Sequence, residues 1–134
     1  MAKWVPNLEN QKTDGVRFLI AEDNPINLIV VTRMLGSLGY AYDAAENGED
    51  CLKFLSENDY DLVLTDISMP GMNGVEVATH IRARSDAKKD IPIVAMTANS
   101  DLADSMQFKA AGINEVMAKP FTKSDLERCI GNWT

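Results

Sequence analysis

Four places in the chain carry side chains able to do chemistry: the acid pair Glu22-Asp23, the lone acid Asp66, the hydroxyl of Thr97 and the ammonium of Lys119. Each closes a short apolar run, so each reactive group stands where a strand stops and a loop opens. Taken singly they say little. A lone strand-end acid is usually a turn cap, and Glu22-Asp23 fits equally well as favourable charges near a helix start. Taken together they describe a site. Three carboxylates a few ångströms apart repel by roughly 4 kcal/mol per close pair at an effective dielectric of about 20, so they stay ionised together only beside a compensating cation. Mg²⁺ takes oxygen ligands, keeps waters and binds phosphate oxygens, and with Lys119 it brings the summed charge close to zero. Phosphoryl transfer needs such a set: a positioned nucleophile, a metal, and cationic or hydroxyl donors. Asp66 is then the nucleophile, and the product is an aspartyl phosphate.

For these groups to meet, the strands that end in them must lie side by side. Phe18-Leu19-Ile20-Ala21 is a first buried strand, residues 40 to 45 a second, and Leu62-Val63-Leu64 a third, apolar without a break as in a sheet covered on both faces. Ile91 to Thr97 gives a fourth, with Pro92 tolerable only near its start, and Val116-Met117-Ala118 a short fifth. Helical spacing fills the gaps. Asn24-Pro25 starts a first helix with Ile26, Ile29, Val30, Met34 and Leu38 recurring along it; Asn47 caps a second with Cys51, Leu52 and Leu55. A third runs from about Val75 to Arg84, a fourth carries Leu102, Met106 and Ala110 and closes at Gly112. Thr122-Lys123-Ser124-Asp125 has capping-box spacing ahead of a last stripe of Leu126, Cys129, Ile130 and Trp133.

Strands and helices alternating through short loops predict an α/β fold: a three-layer α/β/α sandwich, flavodoxin-like, around a five-stranded parallel sheet. The common order for such a sheet is 2-1-3-4-5, and its switch point gathers Glu22, Asp23 and Asp66. Residues 1–15 are polar and without period, so they are expected to be a tail or a leftover of cloning, with 16–134 the folded domain. No room for an output domain is expected within these residues.

The 134 residues and 46% hydrophobic content suit one domain with a sizeable core. A net charge of -7 and an isoelectric point near 4.6 argue against nucleic acid or an anionic membrane surface as partner. No apolar run approaches the roughly 18 residues a membrane span needs. Cys51 and Cys129 lack CxxC spacing and fall on apolar helix faces, which points to core thiols and a cytoplasmic, reducing setting. The methionines at 34, 69, 96, 106 and 117 are expected to be packing residues, and Gly71, Asn73 and Gly74 turn formers. His80 is read as a surface histidine.

The pattern resembles the receiver domain of two-component response regulators over about residues 17 to 131. Four runs carry the resemblance: Glu22-Asp23-Asn24-Pro25-x-Asn27, Asp66-x-x-Met69-Pro70-x-Met72-x-Gly74, Thr97-Ala98-Asn99 and Lys119-Pro120-Phe121. The resemblance implies that Asp66 accepts a phosphoryl group from a phosphohistidine. It implies that Asp23, Asp66 and the Ser68 backbone carbonyl hold Mg²⁺, with Glu22 acting through water. Lys119 would pair with the acyl phosphate, Thr97 would turn its hydroxyl onto it, and Ala98 would leave room. Ser68 and Asn99 would modulate the lifetime of the phosphate, and Lys119-Pro120 would be a cis peptide. The Asn24-Pro25-x-Asn27 run resembles receivers attached to hybrid sensor kinases, whose partner is a histidine kinase or a histidine phosphotransfer domain.

One position departs from the family. Val116 stands where the family carries an aromatic ring three residues before its lysine, so a ring-rotation switch coupled to Thr97 is not available. Relay through the first helix is therefore expected to matter more than output through the fourth and fifth elements. Rival readings are weaker. A nucleotide or flavin binder would carry a glycine-rich phosphate loop, and acids after the first strand would repel a phosphate. An aspartyl phosphatase would carry a second acid two residues after Asp66, where Ser68 stands. A receiver that only docks would not need every site position intact.

Overall fold

A computed structural model of the chain describes residues 16–98 and 105–134. Among these residues five strands, β1 (Arg17–Ala21), β2 (Ala41–Ala45), β3 (Leu62–Asp66), β4 (Ile93–Ala98) and β5 (Glu115–Lys119), alternate with five helices. These are α1 (Pro25–Ser37), α2 (Gly48–Glu57), α3 (Gly74–Arg82), α4 (Ser105–Ala110) and α5 (Lys123–Trp133), with a short 3-10 turn at Ala87–Asp90 before β4. The strands are all parallel, in the order β2-β1-β3-β4-β5. A parallel pair needs a crossover, and right-handed crossovers put helices on both faces.

Strand alternation divides the core in two. Leu19, Val63, Ile93 and Ala95 face α2 and α3, meeting Cys51, Leu55, Val77, Ala78 and Ile81. Phe18, Ile20, Leu64, Val94 and Met96 face α1 and α5, meeting Val31, Leu35, Leu126, Cys129 and Ile130. Both cysteines are free and buried, and burial pushes each thiol up to about 12. The helices start where their caps are. Asn24 accepts from the amides of Ile26 and Asn27 ahead of Pro25, Asn47 accepts from Asp50, and Asn73 with Glu76 and Thr122 with Asp125 close complete capping boxes.

Two expectations fail on which side of a helix is buried. In α1 the buried residues are Val31 and Leu35, while Ile26, Ile29 and Val30 are 71%, 50% and 46% exposed. In α4 Phe108 is buried, and Met106, expected to pack, is 84% exposed. Both helices carry apolar residues on more than one face, so spacing alone does not choose the inner one. The expectations for residues 1–15, for Asn99 and for Leu102 lie outside the described residues.

Candidate functional site

The crossovers leave the carboxyl ends of β1, β3, β4 and β5 on one rim, and this fixes which side chains meet. Glu22 and Asp23 follow β1, Asp66 ends β3, Thr97 and Ala98 end β4, and Lys119 ends β5. In register, Thr65 lies beside Ala21, Asp66 beside Met96 and Ala98 beside Lys119. Carboxylate oxygens of Glu22, Asp23 and Asp66 lie within 4.8 Å of one another. Glu22 and Asp66 are buried, at 1% and 5% exposure, and Asp23 is exposed. This is a hard-oxygen set open to solvent on one side, which fits Mg²⁺.

Lys119 joins the acids directly. Its Nζ lies 3.1 Å from Glu22 Oε1 and 3.1 Å from Asp66 Oδ1. The resemblance implies a role for Glu22 through water; its carboxylate also holds the lysine. One ammonium between two carboxylates does not neutralise both. Burial, and then the neighbouring Asp66, push the Glu22 carboxyl up to about 7, even though the Asn24 amide and Lys119 oppose the shift. Burial by itself would lower the lysine, but Asp66 and Glu22 outweigh it and hold its pKa above the ordinary value.

The loop after β3 is shaped to present Asp66. The Ser68 amide donates a long bond, 3.4 Å, to Asp66 Oδ1, and the Gly74 amide donates to the Ile67 carbonyl at 2.9 Å. Gly74 does more than form a turn. A Cβ there would lie 2.4 Å from the Asp66 carbonyl oxygen, so only glycine lets α3 start against the strand that carries the acid. The Lys119-Pro120 bond is cis, as the resemblance implies. Thr97 is buried and Ala98 exposed at the end of β4, and Val116, partly buried, packs toward the α2–α3 core. His80 is exposed and far along α3.

Beside the acids lies a cavity of about 190 Å³ lined by Asn27, Val30, Val31, Met96, Pro120 and Phe121, with Glu22 and Lys119 on its wall. It continues the exposed apolar face of α1 toward the site. Asn27 stands on this wall three residues beyond the cap, and its spacing from Asn24 in the Asn24-Pro25-x-Asn27 run was the available signal.

The model of the response regulator receiver domain matches residues 18–130. The sensor histidine kinase RcsC of Escherichia coli K12 is 34% identical over 109 residues, which are 81% of this chain and 11% of that protein. Hybrid signal transduction histidine kinase B of Dictyostelium discoideum is 33% identical over 120 residues, 82% of this chain and 6% of that protein. The chain thus spans a small part of the length of these kinases. Among solved structures, the receiver domain of a Pseudomonas aeruginosa sensor histidine kinase, with a magnesium ion coordinated in its active site cleft, is 34% identical with a TM-score of 0.81, covering 89% of this chain and 97% of that one. The Saccharomyces cerevisiae receiver domain of Ssk1, solved with the histidine phosphotransfer protein Ypd1, is 28% identical with a TM-score of 0.78, covering 88% of each. A five-stranded sheet in this order, with its acids, hydroxyl and lysine on one rim, and a family match over residues 18–130 lead to one conclusion: the chain belongs to the response-regulator receiver domains of two-component and phosphorelay signalling.

Proposed function

We propose that Asp66 accepts a phosphoryl group from a phosphohistidine of a histidine kinase or histidine phosphotransfer protein. A carboxylate oxygen of Asp66 bonds to phosphorus as the phosphorus–nitrogen bond breaks, and the departing imidazole takes up the electron pair. The single observation that carries this reading is the placement of Lys119 Nζ 3.1 Å from Asp66 in a cluster of three acids. Asp23 and Asp66 would hold Mg²⁺, with the Ser68 carbonyl and, through water, Glu22. Bound Mg²⁺ supplies positive charge to the crowded carboxylates and to the phosphoryl oxygens. Lys119 offsets charge on the acyl phosphate, Thr97 donates its hydroxyl to it, and Ala98 leaves room; Ser68 and Asn99 set its lifetime. The domain promotes its own phosphorylation and dephosphorylation rather than turning over a diffusing substrate.

The partner docks on α1. Ile26, Ile29 and Val30 give it an exposed apolar strip, and the cavity beside Lys119 gives it a pocket at the reacting end. With Val116 in place of a ring, relay through this face outweighs output through α4 and β5. A cytoplasmic location belongs to the same reading and is supported by two buried free thiols.

Intact-mass measurement after incubation with a small phosphodonor and Mg²⁺ tests the reaction. The parent gains one phosphoryl group and Asp66→Asn gains none; an equal gain in both removes Asp66 from the mechanism. Ile29→Asp is expected to accept from the small donor at the parental rate and to lose at least about tenfold in acceptance from a phosphotransfer protein. Equal loss from both donors would take the docking face off α1.

A further inference from the structure

Away from the site, Arg82 at the end of α3 ties together three segments of chain. Its Nε and Nη2 donate to the Gly112 carbonyl at 3.0 and 2.6 Å, and Nη2 also donates to Asn114 Oδ1 at 2.9 Å. Its Nη1 donates to the carbonyls of Lys89 and Ile91 at 2.6 and 2.7 Å. The fork of donors is matched to four neutral oxygens, a geometry lysine does not reproduce. Asn114 carries the connection onward. Its Oδ1 also accepts from the Ile93 amide at 2.7 Å, and its own amide donates to the Ile93 carbonyl at 2.8 Å. The turn is built around the arginine: Gly112 sits at φ +99, and a Cβ there would come within 2.5 Å of Arg82 Cγ.

What this holds in place is β5. That strand has five residues and, among the described residues, lies at the edge of the sheet and pairs with β4 alone. Only Met117 in it is buried, so its own pattern specifies register weakly. No hairpin sets the register of a parallel strand. Yet register decides the site, because a slip of one residue would turn Lys119 to the other face of the sheet. Val94 lies beside Glu115 and Ala98 beside Lys119, and the bonds between Asn114 and Ile93 sit one step before this ladder.

We propose that Arg82 and Asn114 form the register clamp of β5 and are positioning residues for Lys119, acting from the opposite end of the strand. The inference rests on the proposed role of Lys119 in phosphoryl acceptance, but its structural half can be read without it. The metal acids ride on β1 and β3, which the clamp does not touch, so the two functions should separate.

The experiment compares Arg82→Gln, Asn114→Leu and Asn114→Asp with the parent. Asp at 114 keeps both acceptor bonds and serves as the conservative variant. Arg82→Gln and Asn114→Leu are expected to speed amide exchange at Met117, Ala118 and Lys119, and to slow acceptance from a small phosphodonor by about tenfold to a hundredfold. Mg²⁺ affinity by calorimetry does not fall, since a displaced Lys119 takes a competing cation away from the acids, and Asn114→Asp behaves as the parent. In a Lys119→Met background, Arg82→Gln adds no further loss of rate. Parental rate and exchange in Arg82→Gln, a parallel loss of Mg²⁺ affinity, equal damage from Asn114→Asp, or a further loss in the Lys119→Met background would each overturn the clamp. A parent that accepts no phosphoryl group overturns the proposed function instead, and the exchange data still judge the clamp.

Discussion

At the rim where the strands end, three carboxylates crowd beside one ammonium that pairs with two of them; toward the rim where they begin, cations such as Arg82 and Lys88 meet acceptors built around them. Arg17 pairs with Asp43, which also accepts from the Tyr60 hydroxyl at 2.6 Å, and the Arg17 guanidinium lies 5.1 Å from the centre of the Tyr60 ring. Arg82 meets four carbonyl oxygens, and Lys88 donates to the carbonyls of Leu55 and Asn58 at 2.6 and 2.9 Å. Two of these cations end or cap helices and the third opens β1, so they fasten elements together. The acids of the other rim fasten little. They crowd oxygen ligands into one place at a cost in stability, and the matched charges elsewhere offset it. Placing charge in conflict keeps the rim ready for a cation and a phosphoryl group.

The contrast is sharpest when one acid is removed from each region. Asp43→Ala leaves Arg17 and the Tyr60 hydroxyl without their shared acceptor, where Asp43 is 5% exposed, and is expected to cost about 3 to 4 kcal/mol. For a domain of this size that lowers the thermal midpoint by about 10 °C. Asp66→Asn relieves repulsion and leaves Glu22 to hold Lys119, so the metal-free protein gains about 1 kcal/mol. Denaturant titration of both variants without Mg²⁺ checks the pair. Equal destabilisation by the two substitutions would end the distinction between the regions.

A smaller effect follows from Glu22. Its carboxyl titrates near 7 in the folded chain against an ordinary 4.5. Between those values the native state holds a proton that the unfolded state has released, so stability is greatest below pH 4.5 for this group and falls as pH rises toward 7. The loss amounts to about 3 kcal/mol for the metal-free protein. Lys119 does not blur this window, because its pKa is raised and its contribution is lost only at higher pH. Saturating Mg²⁺ favours the ionised carboxyls and flattens the slope. Thermal melts of the parent and Glu22→Gln across this range give the difference directly. Parallel profiles with and without the carboxyl would show that the rim carries no such strain.

How much of this was legible in the sequence follows from what each feature depends on. The strands were readable because a strand buried on both faces is a continuous apolar run, as Leu62-Val63-Leu64 is. Glu22, Asp23, Asp66, Thr97 and Lys119 were readable because each closes such a run. The inner face of α1 was not, because Ile26, Ile29 and Val30 are as apolar as Val31 and Leu35, and only packing separates them. In α4 the same ambiguity hid Phe108 behind Met106. Arg82 gave no sign at all. Its meaning depends on backbone carbonyls from Lys89, Ile91 and Gly112, which no side-chain pattern encodes.

The mildest test asks what a matched charge in the stabilising region is worth, and Lys88 separates two answers within one side chain. Its ammonium donates to two carbonyls at the end of α2, and it also lies 3.6 Å from a carboxylate oxygen of Asp59, whose side chain is 99% exposed. Helix-end carbonyls are orphan acceptors carrying the negative pole of the helix, so the capping bonds should matter. An ion pair with a fully solvated acid should not. Lys88→Met is therefore expected to cost about 1 kcal/mol and to loosen amide exchange in the last turn of α2, whereas Asp59→Asn changes neither measurably. Should Asp59→Asn cost as much as Lys88→Met, this end of the molecule would be held by ion pairs after all, and backbone carbonyls would no longer set it apart from the acidic rim.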